Sequence, residues 1–287
     1  MIEQLLGDLK PARFVGEYYT RLPHSRPGGA RGFTSFDGWG SIEKILSQPE
    51  VDAFLAREGQ LFREPGPPSF ARARELYGEG YTLVIRRSEA HDPELARLAQ
   101  GFGADFGAAV NVHVYATPPE KSGFGWHYDP EDVFILQTEG TKEYRLRKNS
   151  VNPWPVLEAM PRDLRYEREG MPVFSCTLSE GDWLYIPTGW WHQARAVQGS
   201  MTLAIGLMTP TALDVLDFLR KELAASIIWR QRLPVVGQAS GGTWEELERE
   251  HEGLFRELAK DLARHLSEAE TARRFLSRRR GPGAGPA

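Results

Sequence analysis

The sequence predicts a mainly β fold, a barrel or double-sheet jelly roll, flanked by helices. Three observations predict it. From Ala109 the apolar period becomes two, with Val110, Val112 and Val114 alternating with Asn111, His113 and Tyr115. Strand-like runs then recur at 132–138, 141–147, 173–178, 182–187 and 200–208, punctuated by Gly and Pro. On either side of this block the apolar residues return at spacings of three or four.

Residues 1–108 read as a helical and loop region packing on the barrel. Ser41 caps a run of Ile42, Ile45 and Leu46, and Val51, Phe54 and Leu55 continue at helical spacing. Phe70, Ala73 and Leu76 mark another amphipathic helix. Tyr81 to Ile85 is β-branched and aromatic enough for a strand. Asp92-Pro93 starts a helix, with Pro at its first position, and Leu95, Leu98 and Phe102 form its buried face. Residues 109–210 form the β core, with Gly140 as a tight turn between two strands. Leu213, Leu216, Leu219 and Leu223 then return to helical spacing. A break at Gly237 to Gly242 precedes a Thr243-x-x-Glu246 capping box and a stripe of Leu247, Leu254, Leu258 and Leu262. Residues 211–278 therefore read as a helical appendage. It either covers the barrel or forms a homodimer interface, and the interface is favoured because two helices have little else to bury their stripes against. The tail, 279–287, reads as solvated and disordered.

Composition narrows the function classes. In 287 residues, 41% are hydrophobic and 26% charged, the balance of an ordinary globule with room for one large domain and a smaller appendage. A net charge of −4 argues against nucleic acid held by bulk charge. Cys176 is the single cysteine, so no intramolecular disulfide forms, and the reading is a reducing, cytoplasmic compartment. No apolar run reaches the ~18 residues of a membrane span, and MIEQLLGDLKPARF lacks a signal peptide's apolar core.

The chemistry-bearing residues sit in the β block. In GWHYDPEDVF, His127 and Asp129 are two apart, so on a strand both side chains reach one point. His192 follows 65 residues later, at the end of SEGDWLYIPTGWWHQA. Two imidazoles and one carboxylate, a pair plus a distant third, match the facial triad of non-heme Fe(II) oxygenases. Lys142 shares a face with Tyr144 and Leu146, opposite Glu143, Arg145 and Arg147. A lysine on an inward face needs an anion, unless it snorkels to solvent.

The Gly181-Asp182, apolar strand, Pro187, Gly189, His192 pattern resembles the JmjC branch of the cupin superfamily, whose fold is a double-stranded β-helix. Phe14-x-x-x-Tyr18-Tyr19-x-x-x-Pro23, Gly80-x-Thr82-Leu83-Val84-Ile85 and Asp132 to Lys142 resemble its ribosomal-oxygenase-like members, so the likeness covers about residues 10–275. HSRPGGARG after Pro23 departs from them, as do the negative charge and the lack of room for a winged-helix domain. The resemblance implies Fe(II) on His127, Asp129 and His192, with 2-oxoglutarate and O₂ as cosubstrates. It implies Lys142 on the far carboxylate of 2-oxoglutarate and Tyr115 against that cosubstrate. His113 is either a further polar contact or a satisfied interior histidine. Thr202, with Ala204 and Gly206, forms a small-residue face that either leaves room for a ligand or simply packs. Trp126, Tyr128, Trp190 and Trp191 either wall the mouth of the site or pack around the metal. Cys176 reads as core, and His24, His91, His251 and His265 as exposed. The implied activity is hydroxylation of a side-chain carbon in a protein or peptide. N-methyl-lysine demethylation, tailoring of a peptide natural product and a metal-binding cupin without turnover are the alternatives.

Overall fold

Strands occupy more of this chain than its helical spacings suggest. The computed structural model describes residues 1–62, 66–160, 173–236 and 241–280. Residues 237–240 of the Gly-rich break and 281–287 of the tail lie outside them. The chain divides into two units, Met1–Thr209 and Pro210–Ala287.

In the first unit, helices α1 (Ile2–Leu6) and α2 (Pro11–Glu17) precede strand β1 (His24–Arg26). Helix α3 (Trp39–Leu46), strands β2 (Asp52–Arg57) and β3 (Gln60–Phe62), helix α4 (Phe70–Gly78), strand β4 (Thr82–Arg86) and helix α5 (Pro93–Phe106) follow. Then come β5 (Ala109–Thr117), β6 (Asp132–Glu139), β7 (Lys142–Arg147), β8 (Phe174–Leu178), β9 (Trp183–Ile186), β10 (Trp191–Ala196) and β11 (Ser200–Met208). They make an eight-stranded sheet, β1-β9-β6-β11-β5-β4-β2-β3, and a three-stranded sheet, β10-β7-β8. Every pairing is antiparallel.

Period-two alternation decides which side chain meets which layer. On β6, Val133 and Ile135 join Tyr144, Leu146 and Leu178 in the core between the sheets. Phe134 and Leu136 of the same strand face the other way and pack with Phe14, Leu98 and Phe102 of the helical layer. Burial on both sides makes β6 a continuous apolar run. Gly140 turns the chain from β6 into β7 at φ 71°, where an added Cβ would collide with the Gly199 carbonyl.

The N-terminal region differs from its largely helical reading, because three strands, β1–β3, join the expected strand β4 in extending the large sheet. Val51 precedes β2, and Phe54 and Leu55 lie on it rather than on a helix, since β2 is held by β4 on one side and β3 on the other. Three apolar residues at helical spacing are too few to exclude a strand. Ser41 sits inside α3, its hydroxyl bonded to Asp37 at 2.6 Å, and Gly38 holds the cap position. His24 is half-buried on β1 against Tyr18 and Trp183, and burial lowers its pKa. His91, His251 and His265 are likewise part-buried rather than exposed.

The second unit contains α6 (Ala212–Leu223), α7 (Ile227–Arg230), α8 (Trp244–Ser267) and α9 (Ala269–Arg280). Its buried cluster is small: Phe218, Leu219 and Leu223, backed by Val215, Trp229, Leu262 and Phe275. The Thr243–Glu246 capping box forms on α8. The arginines Arg278, Arg279 and Arg280 belong to α9, so helix continues beyond the boundary drawn at 278.

Candidate metal centre

His127 stands outside the named strands. It forms an isolated antiparallel bridge to His192, each backbone N–H donating to the other's carbonyl at 3.1 and 2.8 Å. Asp129 lies in the loop that follows, where its carbonyl accepts from Gly189 N–H at 2.9 Å. The strand expected under His-x-Asp is thus a single bridge. It is enough to aim both side chains at one point. Nε2 of His127 and of His192 lie 4.0 and 3.4 Å from Asp129 Oδ2. The three donor atoms all lie within 4.8 Å of one another.

The other face of each imidazole tests the fit to a metal. Nδ1 of His127 lies 2.9 Å from the Gly125 carbonyl, and Nδ1 of His192 lies 3.0 Å from the Trp190 carbonyl. A carbonyl only accepts, so Nδ1 carries the proton and Nε2 presents its lone pair to the common point. Burial, followed by repulsion from His127, lowers the His192 pKa to about 4, so this ring is neutral and able to ligate near neutral pH. Two imidazole nitrogens and one carboxylate oxygen on one side of a centre fit Fe(II), with positions left open opposite them.

The centre opens into a cavity of about 350 Å³ between the sheets. At one end, Lys142 is only 6% exposed. Its Nζ donates to Thr117 Oγ1 at 3.2 Å and lies 5.7 and 5.9 Å from the ring centres of Tyr115 and Tyr144. Burial lowers its pKa to about 8. Beside it, Thr82 Oγ1 is buried and without a partner among the described residues. Among the described residues this cation has no acid and this hydroxyl no partner, which fits a ligand that brings its own carboxylate, as the far end of 2-oxoglutarate would. Tyr115 lines the same end, and burial raises its pKa. Thr202 lines the cavity as well.

The other end contains His113, Glu131 and Arg86. His113 Nδ1 accepts from Arg87 N–H at 3.2 Å, and burial lowers its pKa. The ring is therefore satisfied on one nitrogen and faces the cavity with the other. Arg86 pairs with Asp52 at 2.9 Å. Burial, reinforced by Asp129 and opposed by the Asn111 side chain, raises the pKa of Glu131 to about 7. The bareness of Gly206 serves this carboxylate, since an added Cβ there would collide with Glu131 Oε2. The small-residue face of β11 thus makes room for a protein side chain as well as for a ligand.

Trp126, Tyr128, Trp190 and Trp191 do not line the cavity. Phe124 does. Tyr128 and Trp190 are buried, and Tyr128 packs edge-on against Trp191. Cys176 is part-buried against the inner core, with burial pushing its thiol up to about 11. Sequence reasoning missed Thr82, Thr117 and Glu131. The signal for Glu131 was present: it continues the parity of His127 and Asp129, and of Val133 and Ile135 behind them.

Residues 88–215 match the JmjC domain family. The match and the fold together define the class: residues 88–215 are similar to JmjC domains and lie in a double-stranded β-helix fold. Among its relatives, ribosomal oxygenase 1 of Rattus norvegicus is 30% identical over 219 residues, covering 73% of this chain and 36% of that protein. The bifunctional lysine-specific demethylase and histidyl-hydroxylase NO66 of Drosophila mojavensis is 31% identical over 271 residues, covering 86% of this chain and 30% of that protein. The chain therefore spans about a third of the length of these relatives. Escherichia coli YcfD shares the fold at TM-score 0.63 and 19% identity, covering 94% of this chain and 71% of its own. A structure of YcfD, a ribosomal oxygenase, in complex with cobalt and 2-oxoglutarate aligns at TM-score 0.61 and 19% identity, with 94% and 70% coverage.

Proposed function

We propose that this chain is an Fe(II)- and 2-oxoglutarate-dependent oxygenase that hydroxylates a side-chain carbon of a protein or peptide. The observation that carries this reading is the convergence of His127, Asp129 and His192 within 4.8 Å at the wall of a cavity that also contains a buried lysine with no acidic partner among the described residues. The relatives named ribosomal oxygenase and histidyl-hydroxylase support the protein substrate.

Iron bound there, with 2-oxoglutarate and O₂, would supply the oxidising chemistry. The chain's own residues position and shield. The Gly125 and Trp190 carbonyls fix the two imidazoles through their Nδ1–H groups. Lys142, with Thr82 and Thr117, would grip the distal carboxylate of 2-oxoglutarate. Val133, Ile135 and Ile186 keep the cavity wall between the two ends apolar. Leu213 and Leu216 on α6 are 50% and 49% exposed, and they support a homodimer through 211–278.

Anaerobic addition of Fe(II) and 2-oxoglutarate tests the reading. A visible metal-to-ligand charge-transfer band is expected in the wild-type chain and not in His127→Ala. A wild-type chain without that band, or one binding zinc alone, is a metal-binding cupin and not an oxygenase. Mass spectrometry of candidate peptides then separates hydroxylation, which adds one oxygen atom, from loss of an N-methyl group.

A further inference from the structure

The segment before His127 is tied to β10 at both ends. The Lys121 carbonyl accepts from Ala196 N–H at 2.9 Å, and His127 exchanges backbone bonds with His192. Residues 122–126 leave the strand between these points as a strap, and Gly123 and Phe124 line the cavity. Strap residues touch separate parts of the site. Gly123 passes so close to Thr82 that an added Cβ would lie 3.1 Å from its side chain. The Phe124 ring centre is 5.7 Å from that of His127, and the ring stands edge-on to Tyr115 at 6.5 Å. The Gly125 carbonyl accepts from His127 Nδ1–H.

From outside, the turn of the β2–β3 hairpin holds this strap. Arg57 pairs with Gln60, so Glu58 and Gly59 form the turn, with φ of 53° and 80°. Two positive φ values in succession fit a type I′ turn, which asparagine and glycine favour and glutamate does not. Glu58 N–H donates to the Ser122 carbonyl at 3.1 Å, and Gly59 N–H to the Gly123 carbonyl at 2.9 Å. Phe54 of β2 meets Phe124 edge-on at 6.5 Å. A non-glycine residue stays in left-handed backbone where its surroundings over-determine it, and here the surroundings are the strap.

We propose that the Glu58-Gly59 turn is a latch that positions the strap, which in turn closes Phe124 over the cosubstrate end of the cavity and sets the His127 imidazole. The cosubstrate in this statement rests on the oxygenase reading above. Glu58 and Gly59 are positioning residues, since they act through the strap and lie outside the cavity lining.

The test uses the full chain as wild type, Glu58→Pro, Glu58→Gly and Phe124→Ala. Proline at 58 removes the donor to Ser122 and cannot take a positive φ, whereas glycine keeps both. Mn(II) affinity is read by paramagnetic resonance, and the 2-oxoglutarate dissociation constant by calorimetry with Mn(II) in place. Glu58→Pro should weaken both about tenfold, because the strap carries the carbonyl that orients His127. Glu58→Gly should match wild type. Phe124→Ala leaves the strap backbone in place, so it should weaken 2-oxoglutarate about tenfold through lost apolar contact and leave Mn(II) within about twofold. It should also speed water-proton relaxation by bound Mn(II), which reads solvent reaching the metal. Wild-type constants in Glu58→Pro, or equal losses in Glu58→Pro and Glu58→Gly, overturn the proposal. Unchanged 2-oxoglutarate binding and relaxation in Phe124→Ala do the same, and decide the matter if the proline variant fails to fold. A wild-type chain that takes up Mn(II) but no 2-oxoglutarate fails the oxygenase reading alone. Relaxation then judges the latch, which stands if Glu58→Pro and Phe124→Ala both speed it and falls otherwise.

Discussion

Lys142 is a cation in a place that disfavours cations. Burial lowers its pKa to about 8, against an ordinary lysine value of 10.5. Below pH 8 the ammonium is charged in both folded and unfolded chains. Between about 8 and 10.5 the unfolded chain holds the proton that the folded chain has released, so the Lys142 contribution to stability rises with pH across that window. Ligand binding runs the other way, because the charged form grips a carboxylate. The dissociation constant for 2-oxoglutarate, titrated calorimetrically with Mn(II) in place, should therefore rise as pH passes upward through about 8. Lys142→Ala should raise it about ten- to a hundredfold at neutral pH and remove its pH dependence in this range. Manganese affinity should stay near normal, and an equal loss of metal would contradict the assigned role. Lys142→Arg keeps its charge to a higher pH and should flatten the profile without the loss.

At the scale of the element, Asp132 joins the segments that carry the metal ligands. It opens β6, three residues after Asp129, and is fully buried. Its Oδ1 accepts from Tyr185 Oη–H at 2.5 Å and from Thr188 N–H at 3.2 Å, and its Oδ2 accepts from Thr209 Oγ1–H at 2.8 Å. Thr188 lies in the turn that leads into β10 and His192. One carboxylate therefore ties the His127–Asp129 loop, β9 and the turn before His192 to each other. Asp132→Asn would set an amide N–H₂ against one of these donors. It should cost about 1–3 kcal/mol in denaturant unfolding and weaken Mn(II) binding about tenfold. Unchanged metal affinity with lowered stability would make Asp132 purely structural. The elements also show what was legible in sequence. Alternation on β5, β7 and β11 told which side chains face the cavity, because parity is a property of the backbone and needs no partner. The helix from Asp92 was legible in its cap, and Asp92 Oδ1 does accept from Glu94 and Leu95 N–H. Strands β1–β3 were not, because short strands are selected by neighbours far along the chain, and β1 exists only through its pairing to β9; β4 was legible, since Tyr81 to Ile85 is β-branched and aromatic. Strand β10 was hidden for a similar reason, since WHQARA alternates weakly and is held by β7. His127 and Asp129 were legible as a pair, whereas their geometry depends on one bridge to His192 that no local pattern announces.

At the scale of the whole molecule, the unbalanced part is the second unit. Three residues form its buried cluster, Phe218, Leu219 and Leu223. Against them stand Leu213, Leu216, Ile227, Trp244, Phe255, Leu266 and Leu276, each about half exposed or more. Helix α8 runs 24 residues without a buried side chain. Apolar surface left in this proportion is the mark of a face that meets another protein surface. A second copy of the chain satisfies it with the same patch on both sides, which is the closed two-fold arrangement most soluble homo-oligomers adopt. The full chain is therefore expected at twice its monomer mass by light scattering. A chain carrying Leu213→Glu and Leu216→Glu is expected at the monomer mass. Both positions are half exposed, so the change should cost the fold within about 0.5 kcal/mol each, whereas at an interface it buries two unpaired carboxylates per protomer. Circular dichroism of the variant checks that the helices persist. Removing residues 211–287 should likewise abolish the dimer, leaving monomer or aggregate. A wild-type chain that runs as a monomer, or a double variant that remains dimeric, assigns the exposed leucines to something other than self-association.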